Sequence, residues 1–255
     1  HGRTRNFGVE ISRGTFCAFL THDALPYDEH WLAELVAPLL ADPRVAGVFG
    51  RHLAYPDATP FLKSELEAHF QGLAKWPVVE ITDPQGYSEN VGLRRVYHFY
   101  SDNSSCLRKD VWKRIKYPDV EFAEDQSWAK KVVESGFRKA FAWNSVVYHS
   151  HNYGVLERFR RSYDESRALR ELFGYELGPS LRNAFRQWFR TSVRDMSLAW
   201  KKKWLFRYPL TCLRQPFLNL THQLGLYVGT QKSSFFDKNA RLLSRDRRLK
   251  EKGHS

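Results

Sequence analysis

Strand-length apolar runs and apolar residues at helical spacing alternate through the first 150 residues. After a polar opening, Val9 to Arg13 suits a short helix ended by Gly14, and Thr15 to Thr21 (TFCAFLT) is an apolar run of the kind buried in a parallel sheet. Asp28 is placed to cap an amphipathic helix from Glu29 to Leu40, with Trp31, Leu32, Leu35, Val36 and Leu39 on one face. Val45 to Arg51 reads as the next strand, and Thr59 followed by Pro60 opens a helix to about Gln71. Gly72 to Arg95, rich in Pro, Gly and polar residues, reads as a long loop. A strand at Tyr97 to Tyr100, a helix at Arg108 to Ile115 and a helix at Gln126 to Ser135 stopped by Gly136 follow. Arg138 to Trp143 and Ser145 to His149 then read as strands with a turn at Asn144. This alternation is the mark of an α/β layered domain.

Beyond Asn152 the period becomes helical throughout. Leu156, Phe159, Tyr163 and Leu169 fall near helical spacing, Leu181 to Trp204 lacks Pro and Gly, Pro209 and Pro216 punctuate further helices, and Phe235 to Ser255 forms a basic tail. Charge divides the chain at the same place. Residues 1–150 hold 18 basic and 19 acidic side chains, whereas residues 151–255 hold 22 and 9, so the net charge of +12 lies entirely in the second part. A basic region interleaved with Trp, Phe and Tyr suits an anionic surface or a polyanion. Aromatic residues at 15% exclude a disordered chain. Three widely spaced cysteines, Cys17, Cys106 and Cys212, point to a reducing compartment and a cytoplasmic protein. Residues 1–255 show no signal-peptide pattern, and the most apolar stretch, Pro216 to Gly229, is interrupted by Asn219, Thr221, His222 and Gln223, so it is expected to lie on a membrane rather than span one.

Three polar clusters fall where an open α/β sheet places its ligands. The first, THDALP at Thr21 to Pro26, puts Asp23 just past a buried strand. There it can serve a hard divalent cation and a diphosphate, or simply form a turn. The second is the adjacent pair Glu124 and Asp125 in FAEDQSW. Asp125 at a helix start is either a proton acceptor or an N-cap for Ser127 or Trp128. The third is VVYHSH, where His149 and His151 share a face if the strand continues, as ligands or as hydrogen-bonded structural residues. Asn103 to Ser105 adds a polar stretch suited to sugar hydroxyls.

RNFG at Arg5 to Gly8, the strand ending in THDALP, SDNSSCLRKDVW, FAEDQSWAKKVVESGF and VVYHSHNY, in this order, resemble the inverting GT-A glycosyltransferases of family 2. More narrowly they resemble the bacterial rhamnosyltransferase-like group, over residues 1 to about 165. The resemblance implies a GT-A (Rossmann-like) mixed sheet over residues 1–153, truncated at its N-terminus, followed by a basic helical extension over 154–255. It implies transfer of a sugar, rhamnose from dTDP-rhamnose as the best choice, to a glycan or lipid-linked acceptor. The enzyme would work at the cytoplasmic face of a membrane in cell-surface polysaccharide synthesis. Asp125 matches the catalytic base. Glu124, Trp128, Asn103 and Ser104 fall to the acceptor side, and Arg5, Asn6, His22 and Asp23 to the donor side. Asp23 with His149 is the implied site for Mg²⁺ or Mn²⁺, His151 being the less favoured alternative.

Two departures accompany the resemblance. Thr21 stands where a full DxD motif has its first acid, which weakens the metal site. The family's opening strand and helix have no counterpart, so the chain is expected to begin about eighty residues into the fold. Two other classes compete. One is a noncatalytic basic protein contacting an anionic membrane or nucleic acid through residues 155–255, with nucleic acid the less favoured partner. The other is a metal hydrolase using Asp23 and a histidine, which lacks closely spaced ligands in sequence.

Overall fold

The computed structural model describes residues 2–120, 122–233 and 240–245. Most of the expected basic tail therefore lies outside the described residues. Contacts divide the chain into two compact units, residues 1–58 with 62–151, and residues 59–61 with the chain from 152 onward.

The first unit is built on a six-stranded mixed sheet. Its strands are β1 (Phe16–Leu20), β2 (Leu25–Pro26), β3 (Val45–Leu53), β4 (Val78–Val79), β5 (Ser104–Arg108) and β6 (Arg138–Tyr148), in the order β1-β5-β3-β6-β2, with β4 also paired to β6. Only β3 and β6 run parallel; the other pairings are antiparallel. The apolar run expected inside a parallel sheet is thus β1, which pairs antiparallel with β5 alone among the described strands and is buried mainly at Cys17. β3 is the central strand, and its first six residues are all buried. At Gly47 a Cβ would lie 2.7 Å from the Trp128 ring, so the bare backbone is what lets that indole into the core.

The expected turn at Asn144 is instead an irregularity within one long strand. Gly50 pairs with Ala142 and Arg51 with Val146, so Trp143, Asn144 and Ser145 bulge from β6 while pairing resumes beyond them. The expected loop at Gly72 to Arg95 holds β4 and two helices, α4 (Pro84–Glu89) and α5 (Val91–His98). Its turn-forming residues are caps. Asp83 accepts from the Gly86 N–H at 2.9 Å, Asn90 from the Leu93 N–H at 3.0 Å, and Pro84 opens α4. Tyr97 to Tyr100 is accordingly no strand but the end of α5 and the turn after it. Lys139, 2% exposed, closes that end by donating to the carbonyls of Val96, Tyr97 and Phe99 at 2.9, 2.8 and 2.5 Å.

The remaining helices of this unit are α1 (Gly2–Ile11), α2 (Trp31–Ala41), α3 (Pro60–Leu73) from Leu62 onward, α6 (Lys109–Arg114) and α7 (Glu124–Glu134). α1 starts seven residues before the helix read from the sequence. α2 buries Leu35 and Leu39 as expected but leaves Leu32 exposed, and Asp28 accepts from the His30 N–H instead of capping the helix proper. α7 ends as expected, with Gly136 at φ +80°. The core below the sheet gathers Phe49, Tyr100, Trp112, Tyr117, Trp128 and Phe141. The Tyr100 hydroxyl donates to the carbonyls of Val48 and Cys106, bridging β3 and β5 at 3.0 and 3.1 Å.

The second unit is helical, with α8 (Val155–Phe173), α9 (Leu181–Lys201), α10 (Trp204–Arg207), α11 (Pro209–Thr230) and α12 (Ala240–Leu243). Pro209 opens α11, while Pro216 lies inside it. α9 and α11 are held by a buried polar group in which Gln215 and Asn219 donate to the Asp195 carboxylate at 3.1 and 2.9 Å. No described helix is long and apolar enough to cross a membrane. All three cysteines are buried and unpaired.

Candidate active site

The site forms where strand ends meet. Leu20, the last residue of β1, pairs with Ser104, the first of β5, and the Thr21 N–H donates to the Asn103 carbonyl at 3.3 Å. This brings the THDALP turn against the SDN turn. From the other side, the His149 N–H donates to Leu53 at 2.9 Å and Leu25 pairs with Tyr148, so the end of β6 arrives at the same turn.

Asp23 lies between two imidazoles. Its carboxylate is 3.6 Å from His149 Nε2 and 3.5 Å from His151 Nε2, the two rings being 5.0 Å apart and nearly perpendicular. One ligand atom from each of the three lies within 4.8 Å of the others. Strand alternation expected both histidines on one side, and the fold brings both to Asp23, so His151 is an equal member of the group. Burial by itself would raise the Asp23 carboxyl, but His149, the Thr21 hydroxyl and His151 outweigh it, and the group stays ionised below its ordinary range. A carboxylate and two imidazoles form a donor set fit for a divalent cation. His22 points to solvent.

The second group surrounds Asp125. Ala123, at φ 55°, precedes Glu124 in a left-handed conformation that an alanine adopts only under constraint. The cap reading fails, because the Ser127 N–H goes to the Ala123 carbonyl. Asp125 instead accepts from the Gln126 N–H at 2.8 Å and the Asp102 N–H at 3.3 Å. Behind it, Arg5 binds both acidic neighbours, Asp102 at 2.6 Å and Glu124 through Nη1. The Asp102 carboxylate, 2% exposed, also accepts from Ser105 at 2.6 Å and Tyr117 at 3.1 Å. Burial first, then the charges of Asp102 and Glu124, push Asp125 up to about 7 against the opposing pull of Arg5. Asp102 is raised as well, chiefly by burial. One of these carboxyls holds its proton far closer to neutrality than a free aspartate.

Asn103 joins the two groups. Its amide lies 3.3 Å from His149 Nδ1, and the next residue back, Asp102, offers its N–H to Asp125. Asp23, His149 and Asp125, far apart in sequence, therefore meet through one three-residue turn.

Other expected residues are placed differently. Trp128 is fully buried, stacks on Tyr117 at 5.4 Å and donates to the Ile115 carbonyl. It has no surface to offer an acceptor and belongs to the core. Ser104 is also fully buried, accepting from the Trp31 indole at 2.9 Å, and is out of reach of a sugar. Asn6 uses its amide on Trp112 and on both backbone groups of Tyr117, fastening α1 to the segment after α6. Arg5 faces the acidic group around Asp125, and the structure places no part of it at Asp23. Sequence reading missed Asp102, although it stood in the SDNSSC motif. Nothing in sequence spacing showed that its carboxylate would turn inward to Arg5.

The mixed sheet, with acidic and imidazole groups at its strand ends, has a fold of the GT-A type. The mannosyltransferase PcManGT from Pyrobaculum calidifontis, solved in complex with GDP-Man and Mn²⁺, superposes over 93% of this chain and 67% of its own, with a TM-score of 0.54 at 16% identity. No family model matches the chain. Two curated relatives do match: the O-antigen chain rhamnosyltransferase RfbN of Salmonella typhimurium at 32% identity over 167 residues, and WbaN of Salmonella anatum at 29% over the same length. Each match covers 64% of this chain and spans half the length of the relative. Both matched relatives are O-antigen chain rhamnosyltransferases by name, and the mannosyltransferase shares the fold.

Proposed function

We propose that the chain carries the catalytic centre of an inverting, family 2 type sugar transfer, with Asp125 as general base. The observation that supports it most is the turn Asp102-Asn103, which touches Asp125 on one side and His149 on the other. Inverting displacement needs one base behind the anomeric carbon, opposite the leaving diphosphate. The Asp125 carboxylate would take the proton of an acceptor hydroxyl as that oxygen bonds to the anomeric carbon and the bond to the diphosphate breaks. Its raised pKa makes it a stronger base than an exposed aspartate, and Arg5, paired with Glu124 and Asp102, offsets part of the negative charge around it. Asn103 is positioned to orient His149 or meet a sugar hydroxyl. A divalent cation held by Asp23, His149 and His151 would supply positive charge against the charge growing on the leaving diphosphate. Two imidazoles beside one carboxylate favour Mn²⁺ over Mg²⁺, which prefers an all-oxygen shell.

The relatives' names favour a rhamnosyl donor such as dTDP-rhamnose and a growing glycan, free or lipid-linked, as acceptor. Proton NMR of the product's anomeric centre tests the reading. Inversion relative to the donor is expected, and retention would overturn it.

Membrane-surface association is a further part of this reading, supported by the second unit. α9 exposes Leu181, Phe185, Phe189, Val193 and Trp200 at helical spacing, and α11 exposes Leu210, Leu213 and Phe217. Arg186, Arg190, Lys201 and Arg214 lie exposed among them. Apolar stripes flanked by cations suit the interface of an anionic leaflet, where each nearby cation contributes about 1 kcal/mol. Co-sedimentation with anionic but not neutral vesicles is expected. Equal binding to both would remove the electrostatic part.

A further inference from the structure

A pocket of about 310 Å³ opens where the end of β3, the bulged part of β6 and α3 come together, walled by Arg51, His52, Lys63, Phe70, Trp143 and Tyr148. It lies at the small end of the range for ligand sites, about 300–1,000 Å³. The Arg51 guanidinium sits 4.3 Å over the Trp143 ring, and its buried Nε has no hydrogen-bond partner. His52, 6% exposed, likewise leaves its buried Nε2 without one. Lys63 donates to the Pro56 carbonyl at 2.6 Å, which leaves its charge unneutralised. The sole carboxylate in the wall, Glu67, forms no ion pair with Arg51 and accepts instead from Gln71 at 3.2 Å. Burial, opposed by Glu67 and Tyr27, still leaves Arg51 below its ordinary range, as expected of a desolvated cation short of an anion.

Wall residues of the pocket pack against the neighbours of Asp23. The His52 ring stands 5.4 Å from that of His149, and Tyr148 stacks at 5.9 Å on Tyr55, whose hydroxyl donates to the Asp23 carbonyl at 3.2 Å. His149 meets Asn103 at Nδ1 and the His52 ring as well, so one histidine touches both the turn carrying Asp102 and a residue of the pocket wall.

We propose that this pocket is an oxyanion subsite that takes a phosphate or diphosphate group, with Arg51 as its principal contact, the Trp143 face holding the guanidinium, and Leu66 and Phe70 receiving the ring or chain that bears the phosphate. Guanidinium is the side chain best matched to phosphate oxygens, and held on an indole it needs little further ordering. The inference deepens the transfer reading by assigning a phosphate-binding role to residues outside the catalytic pair, and it is testable separately.

Calorimetric titration with inorganic pyrophosphate in EDTA is the experiment. The intact chain should bind, Arg51→Gln should weaken binding by at least about tenfold, and Arg51→Lys should recover part of it. Arg3→Gln, which removes an exposed cation outside the pocket wall, should bind within threefold of the parent chain. No binding by the parent, or equal binding by Arg51→Gln with an unchanged fold by circular dichroism, would overturn the proposal. Asp125→Asn should retain pyrophosphate binding while losing transfer, so failure of the pocket and failure of the base are told apart. Competition identifies the source of the phosphate. Displacement at lower concentration by a nucleoside diphosphate points to the donor, displacement by a hexose 1-phosphate points to a phosphorylated acceptor, and displacement by neither overturns the assignment.

Discussion

Two aspartates meeting at one turn are driven in opposite directions by their neighbours. Asp23, half-exposed between His149 and His151, is held ionised, the state that serves a cation. Asp125, half-buried beside Asp102 and Glu124, is pushed to about 7, the range that the proposed base would need. The same carboxyl group gains two chemistries from surroundings alone: imidazoles and partial solvent in one place, like charges and burial in the other. Arg5 marks the difference. It binds Asp102 and Glu124 and leaves Asp125 two backbone N–H groups, so the carboxylate facing the turn is the one with the weakest compensation.

The largest expected effect breaks the comparison outright. Asp125→Asn should lower turnover by about 10²–10⁴-fold with little change in donor affinity, measured as kcat against donor KM. Near-parental turnover would show that the raised pKa has no catalytic use. Next, Asp23→Ala or His149→Ala should weaken Mn²⁺ binding by at least about tenfold in a calorimetric titration, whereas Asn103→Ala, which removes only an outer contact, should cost less. Equal loss in all three would mean that Asn103 is itself a ligand.

A third effect sharpens the comparison through pH. The acid limb of kcat/KM should fall near the Asp125 value of about 7, and Asp102→Asn, which removes a charge that raises Asp125, should move that limb to lower pH. Stability carries the matching sign. A carboxyl whose folded pKa is raised stabilises the fold fully below its unfolded value, and that contribution is lost as pH rises through the folded value. Asp125→Asn should therefore gain stability relative to the parent between pH 5 and pH 8 in urea melts, and a constant difference across that range would refute the shift. Smallest is Ala123→Gly, which should stabilise by about 1 kcal/mol by relieving the left-handed alanine. A lower Tm would show that side-chain contacts at Ala123 outweigh the strain.

The clusters at strand ends were legible because each is local. A strand followed by Asp23, a helix beginning near Asp125 and a strand ending in His149 are read from periods of two and 3.6 within a few residues. The segment from Gly72 to Arg95 misled because Pro84, Asp83 and Asn90 are equally frequent in loops and in caps, and only a bonded N–H three residues on tells the two apart. Trp128 and Ser104 looked available for an acceptor because motif position carries no information about burial. Gly47 opens the core to the indole, and the Trp31 indole covers the serine.

The sequence by itself determined the alternation of strands and helices, the separation of a neutral α/β part from a basic helical part, and the residue types that carry acid, base and cation chemistry. These depend on short-range pattern and composition. Only the tertiary structure decided that β1 pairs antiparallel with β5, that Asp102 and Arg5 close behind Asp125, that His151 joins His149 at Asp23, and that the buried Nε of Arg51 has no hydrogen-bond partner. Each rests on residues distant in sequence, and their burial and mutual charge, which set what a carboxyl or a guanidinium does, exist only once the chain has folded.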